Sequence, residues 1–141
     1  MSDEFSIRIK VRGYEVDTQG HLNWAEYLHY AEQARWECLD AAGITQDRLI
    51  ASGFGPIVLD ASVKYRRELR AGDEVDVSCV FIFDGGRTFE IEQQFRRPDR
   101  RIAASLTSTG GLLHLTERKL TDDPGAHFRA LAADPAVLGL A

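Results

Sequence analysis

One long helical segment stands among five strand-like segments, and this order limits how the chain can fold. These segments are residues 5–14 (strand), 24–42 (helix), 57–66, 74–83, 88–97 and 102–115 (strands). Turn residues such as Gly, Pro and Asp separate the last four strands, and short connections favour antiparallel neighbours. The sequence therefore predicts an antiparallel five-stranded sheet curled around one helix, with the last four strands in a meander.

The helical segment carries its own start and stop signals. Asn23 is a good N-cap, Glu26 stands three residues later as in a capping box, and Gly43 fits the left-handed position after the last turn. The inward stripe is mostly small residues, among them Ala31 and Ala34. We therefore expect a helix of about five turns that begins near residue 24 and lies close against the sheet.

Length and composition point to a single domain. The chain has 141 residues, of which 44% are hydrophobic and 28% charged, and no apolar run approaches the roughly 18 residues of a membrane span. We expect one domain over residues 1–141, with a core at about 5–118 and a C-terminal tail at about 119–141 that includes a short helix. The acidic start, without an apolar segment after it, favours the cytoplasm. The net charge of −5 argues against nucleic-acid binding.

The thiols and imidazoles give no sign of a metal or redox centre. Cys38 and Cys79 have no paired spacing, so we expect both to be buried as small hydrophobic residues. His29, His114 and His127 do not form a metal-like cluster, and packing or surface roles are expected for them. No metal is predicted.

The candidate site lies in the segment that connects the first predicted strand to the predicted helix. Asp17 stands one tight turn before the helix start, where unpaired N–H groups and a partial positive charge favour an oxyanion. If the side chain of Asn23 caps a later N–H, the N–H of Trp24 stays free. Considered alone, Asp17 is more typical of a turn aspartate that bonds only local backbone groups.

The site residues resemble a known family, the hot-dog fold acyl-CoA thioesterases of the 4-hydroxybenzoyl-CoA thioesterase type. The resemblance extends over about residues 7–115. It rests on the ordered positions Asp17, Gly20, His21, Asn23 and Tyr27, and on Gly55-Pro56-Ile57-Val58 at the start of the second strand. It implies an α+β hot-dog fold, with Asp17 as the catalytic carboxylate and the backbone N–H of Trp24 as the group that polarises the thioester carbonyl.

The same resemblance implies the rest of the site. Its substrate-binding residues are Gly20, Asn23, Tyr27, Gly55, Pro56, Ile57 and Val58. His21 is expected to orient neighbouring groups rather than to react, and Tyr27 to pack in the core or an interface. No cofactor is implied, because coenzyme A is part of the substrate. A homodimer at least, and often a tetramer, is implied, with residues 55–58 near the helix start of the partner.

Several alternatives stay open at this stage. Asp17 is either a nucleophile or a general base for water, and the substrate is either a CoA or an acyl-carrier-protein thioester of unknown acyl group. Competing functions are a non-catalytic acyl-CoA binding or sensing module and, less favoured, a hot-dog hydratase or dehydratase. Two arginine groups are candidates for the CoA phosphates, namely Arg66, Arg67, Arg70, Arg96, Arg97, Arg100 and Arg101.

Overall fold

The fold is an antiparallel five-stranded sheet around a long helix, described here from a computed structural model for residues 4–141. In chain order the elements are β1 (Phe5–Lys10), α1 (Glu26–Ala41), α2 (Gln46–Ala51), β2 (Phe54–Tyr65), β3 (Glu74–Phe83), β4 (Thr88–Arg96), β5 (Ile102–His114) and α3 (Pro124–Leu131). Short 3-10 helices cover Gly13–Glu15 and Pro135–Leu138. The predicted α+β class and its five strands are confirmed.

The strand order corrects the predicted meander. The sheet runs β1-β3-β4-β5-β2, so β2 pairs with β5 at one edge while β1 pairs with β3 at the other. Residues 66–73 join β2 to β3 by crossing from one edge to the other, and Leu69 is fully buried on the way. The Leu22 N–H donates to the Leu69 carbonyl at 2.6 Å. The crossing segment therefore lies beside the loop that precedes α1.

Helix α1 packs on the sheet through its small residues. Ala31 and Ala34 are buried, and the side-chain amide of Gln93 on β4 donates to the Ala31 carbonyl at 2.9 Å. Cys38 and Cys79 are both buried, as predicted. Small side chains at these positions let the helix backbone approach the sheet closely, while the longer Tyr27, Tyr30 and Leu39 are buried along the same helix.

The predicted end of α1 is confirmed by its hydrogen bonds. Gly43 has φ +90, its N–H donates to the Asp40 carbonyl at 2.9 Å, and the Ile44 N–H donates to the Leu39 carbonyl at 2.8 Å. These two bonds form a Schellman motif. A Cβ at residue 43 would also lie 2.7 Å from the Cβ of Ala133. Glycine is therefore needed both for the turn and for the close approach of the C-terminal segment.

Two helical segments follow from local signals that the sequence analysis assigned to a loop or a tail. Helix α2 lies in a predicted loop, and the Thr45 side chain caps it by accepting the Arg48 N–H at 3.1 Å. Helix α3 lies in the predicted tail and begins after Asp123, whose side chain accepts the Ala126 N–H at 3.1 Å. Within residues 4–141, no helix is long and apolar enough to cross a bilayer.

The C-terminal segment completes the core. Phe128 on α3 is fully buried, and its ring centroid lies 5.6–6.2 Å from those of three other phenylalanines, which are Phe81, Phe83 and Phe89. Leu138 is fully buried as well. The residues beyond β5 thus contribute buried side chains to the core.

Phe128→Ala should therefore lower the free energy of unfolding by about 3–5 kcal/mol, because it removes a large buried ring and leaves a cavity. Urea denaturation followed by circular dichroism measures the change. Arg129→Ala, at the exposed neighbouring position of α3, is the matched control and should change the free energy by less than about 0.5 kcal/mol. Equal effects of the two substitutions would contradict a core role for α3.

Candidate active site

Asp17 occupies the first position of a tight turn. The Gly20 N–H donates to the Asp17 carbonyl at 3.0 Å, and the Asp17 N–H donates to the His21 carbonyl at 2.8 Å. Gly20 has φ +79, a conformation that residues with a Cβ rarely adopt. The turn and the adjacent bridge between Val16 and Leu22 hold the Asp17 backbone in place. This geometry provides the tight turn predicted for residues 17–20.

The Asp17 carboxylate is partly engaged by local N–H groups. Its Oδ1 accepts the His21 N–H at 3.1 Å and the Gln19 N–H at 2.9 Å. The backbone N–H of His21, followed by that of Gln19, holds the pKa of Asp17 below its usual value. No donor within residues 4–141 bonds Oδ2. Asp17 thus presents an ionised carboxylate with one uncommitted oxygen at the protein surface.

The His21 side chain contacts the crossing segment rather than Asp17. Its Nε2 lies 3.3 Å from a Glu68 carboxylate oxygen and 3.5 Å from Nη2 of Arg70, and Glu68 also pairs with Arg70. The backbone of His21 therefore orients Asp17, while its ring ties the turn to residues 66–73. This arrangement is compatible with the orienting role predicted for His21.

The helix start differs in detail from the prediction. Regular helix begins at Glu26 rather than at residue 24, and Ala25 precedes it without a side-chain cap. Asn23 instead holds a turn, since its side-chain oxygen accepts the Ala25 N–H and its carbonyl accepts the Glu26 N–H, both at 2.9 Å. The predicted capping box is wrong, because the Glu26 carboxylate bonds Nδ1 of His29 at 2.9 Å.

The Trp24 N–H is left free by this turn. It donates to no protein acceptor in the described part of the chain, although the N–H groups of Asn23, Ala25 and Glu26 all have acceptors. The Trp24 side chain is 71% exposed. A free backbone donor at the start of a helix, where the helix dipole adds a partial positive charge, suits a carbonyl oxygen that gains negative charge.

One open cleft of about 310 Å³ brings most of these groups together. It is lined by Asp17, His21, Leu22, Trp24, Tyr27, Tyr65, Arg66, Arg67 and Glu68. Burial raises the pKa of Tyr27 to about 12, so its phenol stays neutral at physiological pH. Gly20 and Asn23 shape the turns on either side of His21. The cleft thus combines a carboxylate, a free N–H, aromatic rings and two arginines.

The other predicted binding residues lie elsewhere in the chain. Pro56, Ile57 and Val58 line a separate, mainly apolar cavity of about 140 Å³ between α1 and the sheet, together with Trp36 and Phe81. Gly55 is buried at the start of β2. One chain therefore does not bring residues 55–58 to the Asp17 cleft.

Three residues that line the cleft were not predicted from the sequence, namely Leu22, Tyr65 and Glu68, and the last two make specific contacts there. Tyr65, at the end of β2, donates its hydroxyl to the Trp24 carbonyl at 2.8 Å, and its ring lies edge-on to Tyr27 at 5.0 Å. Glu68 contacts His21 across the crossing segment. Both positions depend on where residues 66–73 cross the sheet, and no local spacing in the sequence indicates this path. Only the two arginines between them were singled out.

Comparison with known proteins agrees with the geometry. Residues 11–136 match the model of the thioesterase-like superfamily. The chain is 34% identical over 113 residues to the long-chain acyl-CoA thioesterase FadM of Escherichia coli, covering 79% of this chain and 85% of FadM. It is 35% identical over 79 residues to the chloroplastic acyl-acyl carrier protein thioesterase ATL3 of Arabidopsis thaliana, covering 56% of this chain but only 42% of ATL3.

A solved structure shows the same fold at lower identity. The 1,4-dihydroxy-2-naphthoyl-CoA thioesterase Slr0204 of Synechocystis superposes with a TM-score of 0.80 at 18% identity, covering 90% of this chain and 94% of that one. The likeness to Slr0204 bears on the fold alone. Because the family match extends over most of the chain and the sheet encloses the helix in the expected way, the chain belongs to the thioesterase-like superfamily of hot-dog proteins.

Proposed function

We propose that this protein hydrolyses an acyl thioester of coenzyme A or of an acyl carrier protein to the free acid and the thiol. The observation that carries the proposal is that Asp17, with one uncommitted carboxylate oxygen, and Trp24, with a free backbone N–H, line the same cleft. A carboxylate and a fixed donor are the two groups that attack on a thioester carbonyl requires. Membership of a thioesterase superfamily supports the same reaction.

The Asp17 carboxylate and the Trp24 N–H have separate roles in the proposed reaction. An Asp17 oxygen attacks the carbonyl carbon, or instead removes a proton from the water that attacks it, and the carbonyl electron pair moves onto oxygen. The Trp24 N–H then donates to this oxyanion, a contact that typically lowers the barrier by about 3 kcal/mol. The C–S bond breaks as the oxyanion collapses, and the thiolate leaves with the bonding pair. On the nucleophilic route, water finally cleaves the mixed anhydride.

The substrate is proposed from the relatives and the cleft. FadM is named as a long-chain acyl-CoA thioesterase, and ATL3 is named as an acyl-acyl carrier protein thioesterase. Both carriers present the acyl group on a phosphopantetheine arm, so Arg66 and Arg67 at the cleft suit a phosphate of either one. The exposed ring of Trp24 and the ring of Tyr27 offer the thioester end an apolar surface. A non-catalytic binding module would use the same contacts without hydrolysis.

A homodimer completes the site in this proposal. Strand β2 is a 12-residue edge strand with Val58 at 53% and Leu59 at 49% exposure, and long apolar edges are normally covered. Pairing two chains along β2 covers this edge and brings Pro56, Ile57 and Val58 of one chain towards the cleft of the other. A tetramer formed from two such dimers is compatible with the same pairing.

Asp17→Asn should lower kcat for thioester hydrolysis by about 100-fold or more, with a modest change in KM, because the amide cannot attack or take a proton. Thiol release from benzoyl-, hexanoyl-, decanoyl- and palmitoyl-CoA measures both parameters. Thr18→Ala, in the same turn, is the control and should stay near wild type. Binding of these CoA esters without hydrolysis by the wild-type protein would favour the binding module instead.

The Asp17 carboxyl should titrate below the ordinary aspartate pKa of about 3.9, since two N–H donors favour its charged form. Because the pKa is depressed in the folded state, the stabilisation is present above the unfolded pKa and is lost as the pH falls through the folded one. Carbon-13 NMR of the carboxyl groups measures the midpoint, assigned as the resonance missing from Asp17→Asn. A midpoint above 5 would contradict the local geometry.

Light scattering should give a native mass at least twice the 15.8 kDa of one chain. Leu59→Lys places a charge on the β2 edge and should shift the protein towards the monomer, together with a loss of kcat/KM. Lys64→Ala, near the end of the same strand, serves as the control. A wild-type protein that is fully active as a 15.8 kDa species would exclude the dimeric site.

A further inference from the structure

We infer that Tyr65 is a positioning residue for the reaction, because its hydroxyl fixes the turn that presents the Trp24 N–H. The inference rests on the proposed function and goes beyond it by assigning a role to a side chain on another element. Tyr65 ends β2, whereas Trp24 precedes α1, and the hydroxyl donates to the Trp24 carbonyl at 2.8 Å. This bond joins the edge of the sheet to the proposed oxyanion donor.

The two peptide units that flank the Trp24 Cα are both held by hydrogen bonds. The unit from Asn23 to Trp24 is held through the Asn23 carbonyl, which accepts the Glu26 N–H at 2.9 Å. The unit from Trp24 to Ala25 is held at both ends, by the Asn23 side chain on the Ala25 N–H at 2.9 Å and by Tyr65 on the Trp24 carbonyl. The Trp24 N–H is the one polar group of these units that is left for a ligand.

Tyr65 is itself held in position. It pairs with Ala104 of β5 in the sheet, and its ring packs edge-on against Tyr27 at 5.0 Å. Tyr27 is buried and packs against Phe95 at 5.3 Å. Burial also raises the pKa of the Tyr65 phenol, so the hydroxyl remains a donor at neutral pH. Tyr65 is 47% exposed, and its backbone pairing in the sheet and its ring contact with Tyr27 place its hydroxyl beside the Trp24 carbonyl.

The bond from Tyr65 differs in kind from the others around Trp24. The side-chain oxygen and the carbonyl of Asn23 bond residues only two and three positions along the chain, and its N–H donates to the Glu15 carbonyl at 2.9 Å. These bonds shape the segment before α1 but do not join it to a strand of the sheet. Tyr65 is 41 residues away and connects the turn to the rigid part of the fold. An oxyanion donor is effective when it does not have to reorganise during the reaction. Loss of this bond should therefore weaken transition-state stabilisation more than substrate binding.

Tyr65→Phe removes only the hydroxyl and should lower kcat about tenfold, a part of the 100- to 1,000-fold effect of deleting an oxyanion donor. KM should stay within about twofold. Tyr14→Phe is the matched control and should equal wild type, since Tyr14 is 84% exposed and lies outside the cleft. Thermal unfolding of both variants tests whether the fold is retained. Wild-type kcat in a folded Tyr65→Phe protein would overturn the inference.

The infrared carbonyl stretch of a bound thioester separates positioning from a general structural role. Carbon-13-labelled benzoyl-CoA bound to Asp17→Asn should show a stretch at lower frequency than in solution, because the Trp24 N–H polarises the bond. Adding Tyr65→Phe should return the frequency towards the solution value, whereas adding Tyr14→Phe should leave it lowered. An equally lowered stretch with and without Tyr65→Phe overturns the inference while leaving the proposed hydrolysis intact.

Failure of the proposed function has a different signature. If the wild-type protein releases no thiol from the CoA esters, hydrolysis itself is excluded whatever the effect of Tyr65. If thiol is released but the carbonyl stretch of the thioester bound to Asp17→Asn matches the solution value, the Trp24 N–H is not the oxyanion donor. The positioning role of Tyr65 is then excluded as well. The two readouts therefore distinguish the reaction, the donor and the residue that positions it.

Discussion

The close packing of α1 on the sheet is the interaction on which the rest of the structure depends. Ala31, Ala34 and Cys38 are almost completely buried, so the helix backbone itself lies near the strands. The amide of Gln93 adds a direct bond from β4 to the helix backbone. With the helix axis fixed in this way, the turn at its start has a defined place relative to the sheet edge. The geometry of the candidate site follows from that placement, because Trp24 lies two residues before the helix and the turn at Asp17 leads into the same segment.

The crossing of residues 66–73 links the sheet to this turn. It leaves β2 at one edge, passes the loop before α1 with Leu69 buried beneath it, and enters β3 next to β1 at the other edge. On its way it brings Arg66, Arg67 and Glu68 to the cleft beside Asp17. The same crossing leaves β2 with a free edge. A topological detail therefore both supplies side chains to the site and exposes the surface on which a second chain is proposed to pair.

In the proposed reaction, a side chain and a main-chain group have separate roles. The Asp17 carboxylate is kept ionised by donors from its own turn, and the proposed oxyanion donor is a backbone N–H, which substitution of Trp24 does not remove. Neither group is deeply buried, so the cleft of one chain remains open to water. Exclusion of water and recognition of the acyl group are proposed to come from the partner chain. This division explains the role that we infer for Tyr65. The position of a main-chain donor can be changed only through the groups that bond the neighbouring main chain.

Much of the architecture was determined by the sequence alone. Alternating and helical periodicities identified five strands and the long helix, and Gly43 marked the left-handed end of that helix. These features depend on residues within a few positions of one another, and local conformational preferences decide them. The order from Asp17 to Tyr27 also identified the family, which the match over residues 11–136 confirms.

The tertiary structure decided what depends on distant partners. It placed β2 beside β5 instead of β3, moved the regular helix start to Glu26, and brought Tyr65 and Glu68 to the cleft. It also packed Phe128 of the C-terminal segment into the core. Apart from the helix start, which the local bonds of Asn23 set, these outcomes arise from burial and hydrogen bonds between residues distant in the chain, for example Tyr65 and Trp24, which are 41 positions apart. Such contacts produce no periodic pattern in the sequence. Each contact depends on the free energy of the whole packed chain and not on the residues next to it in the sequence.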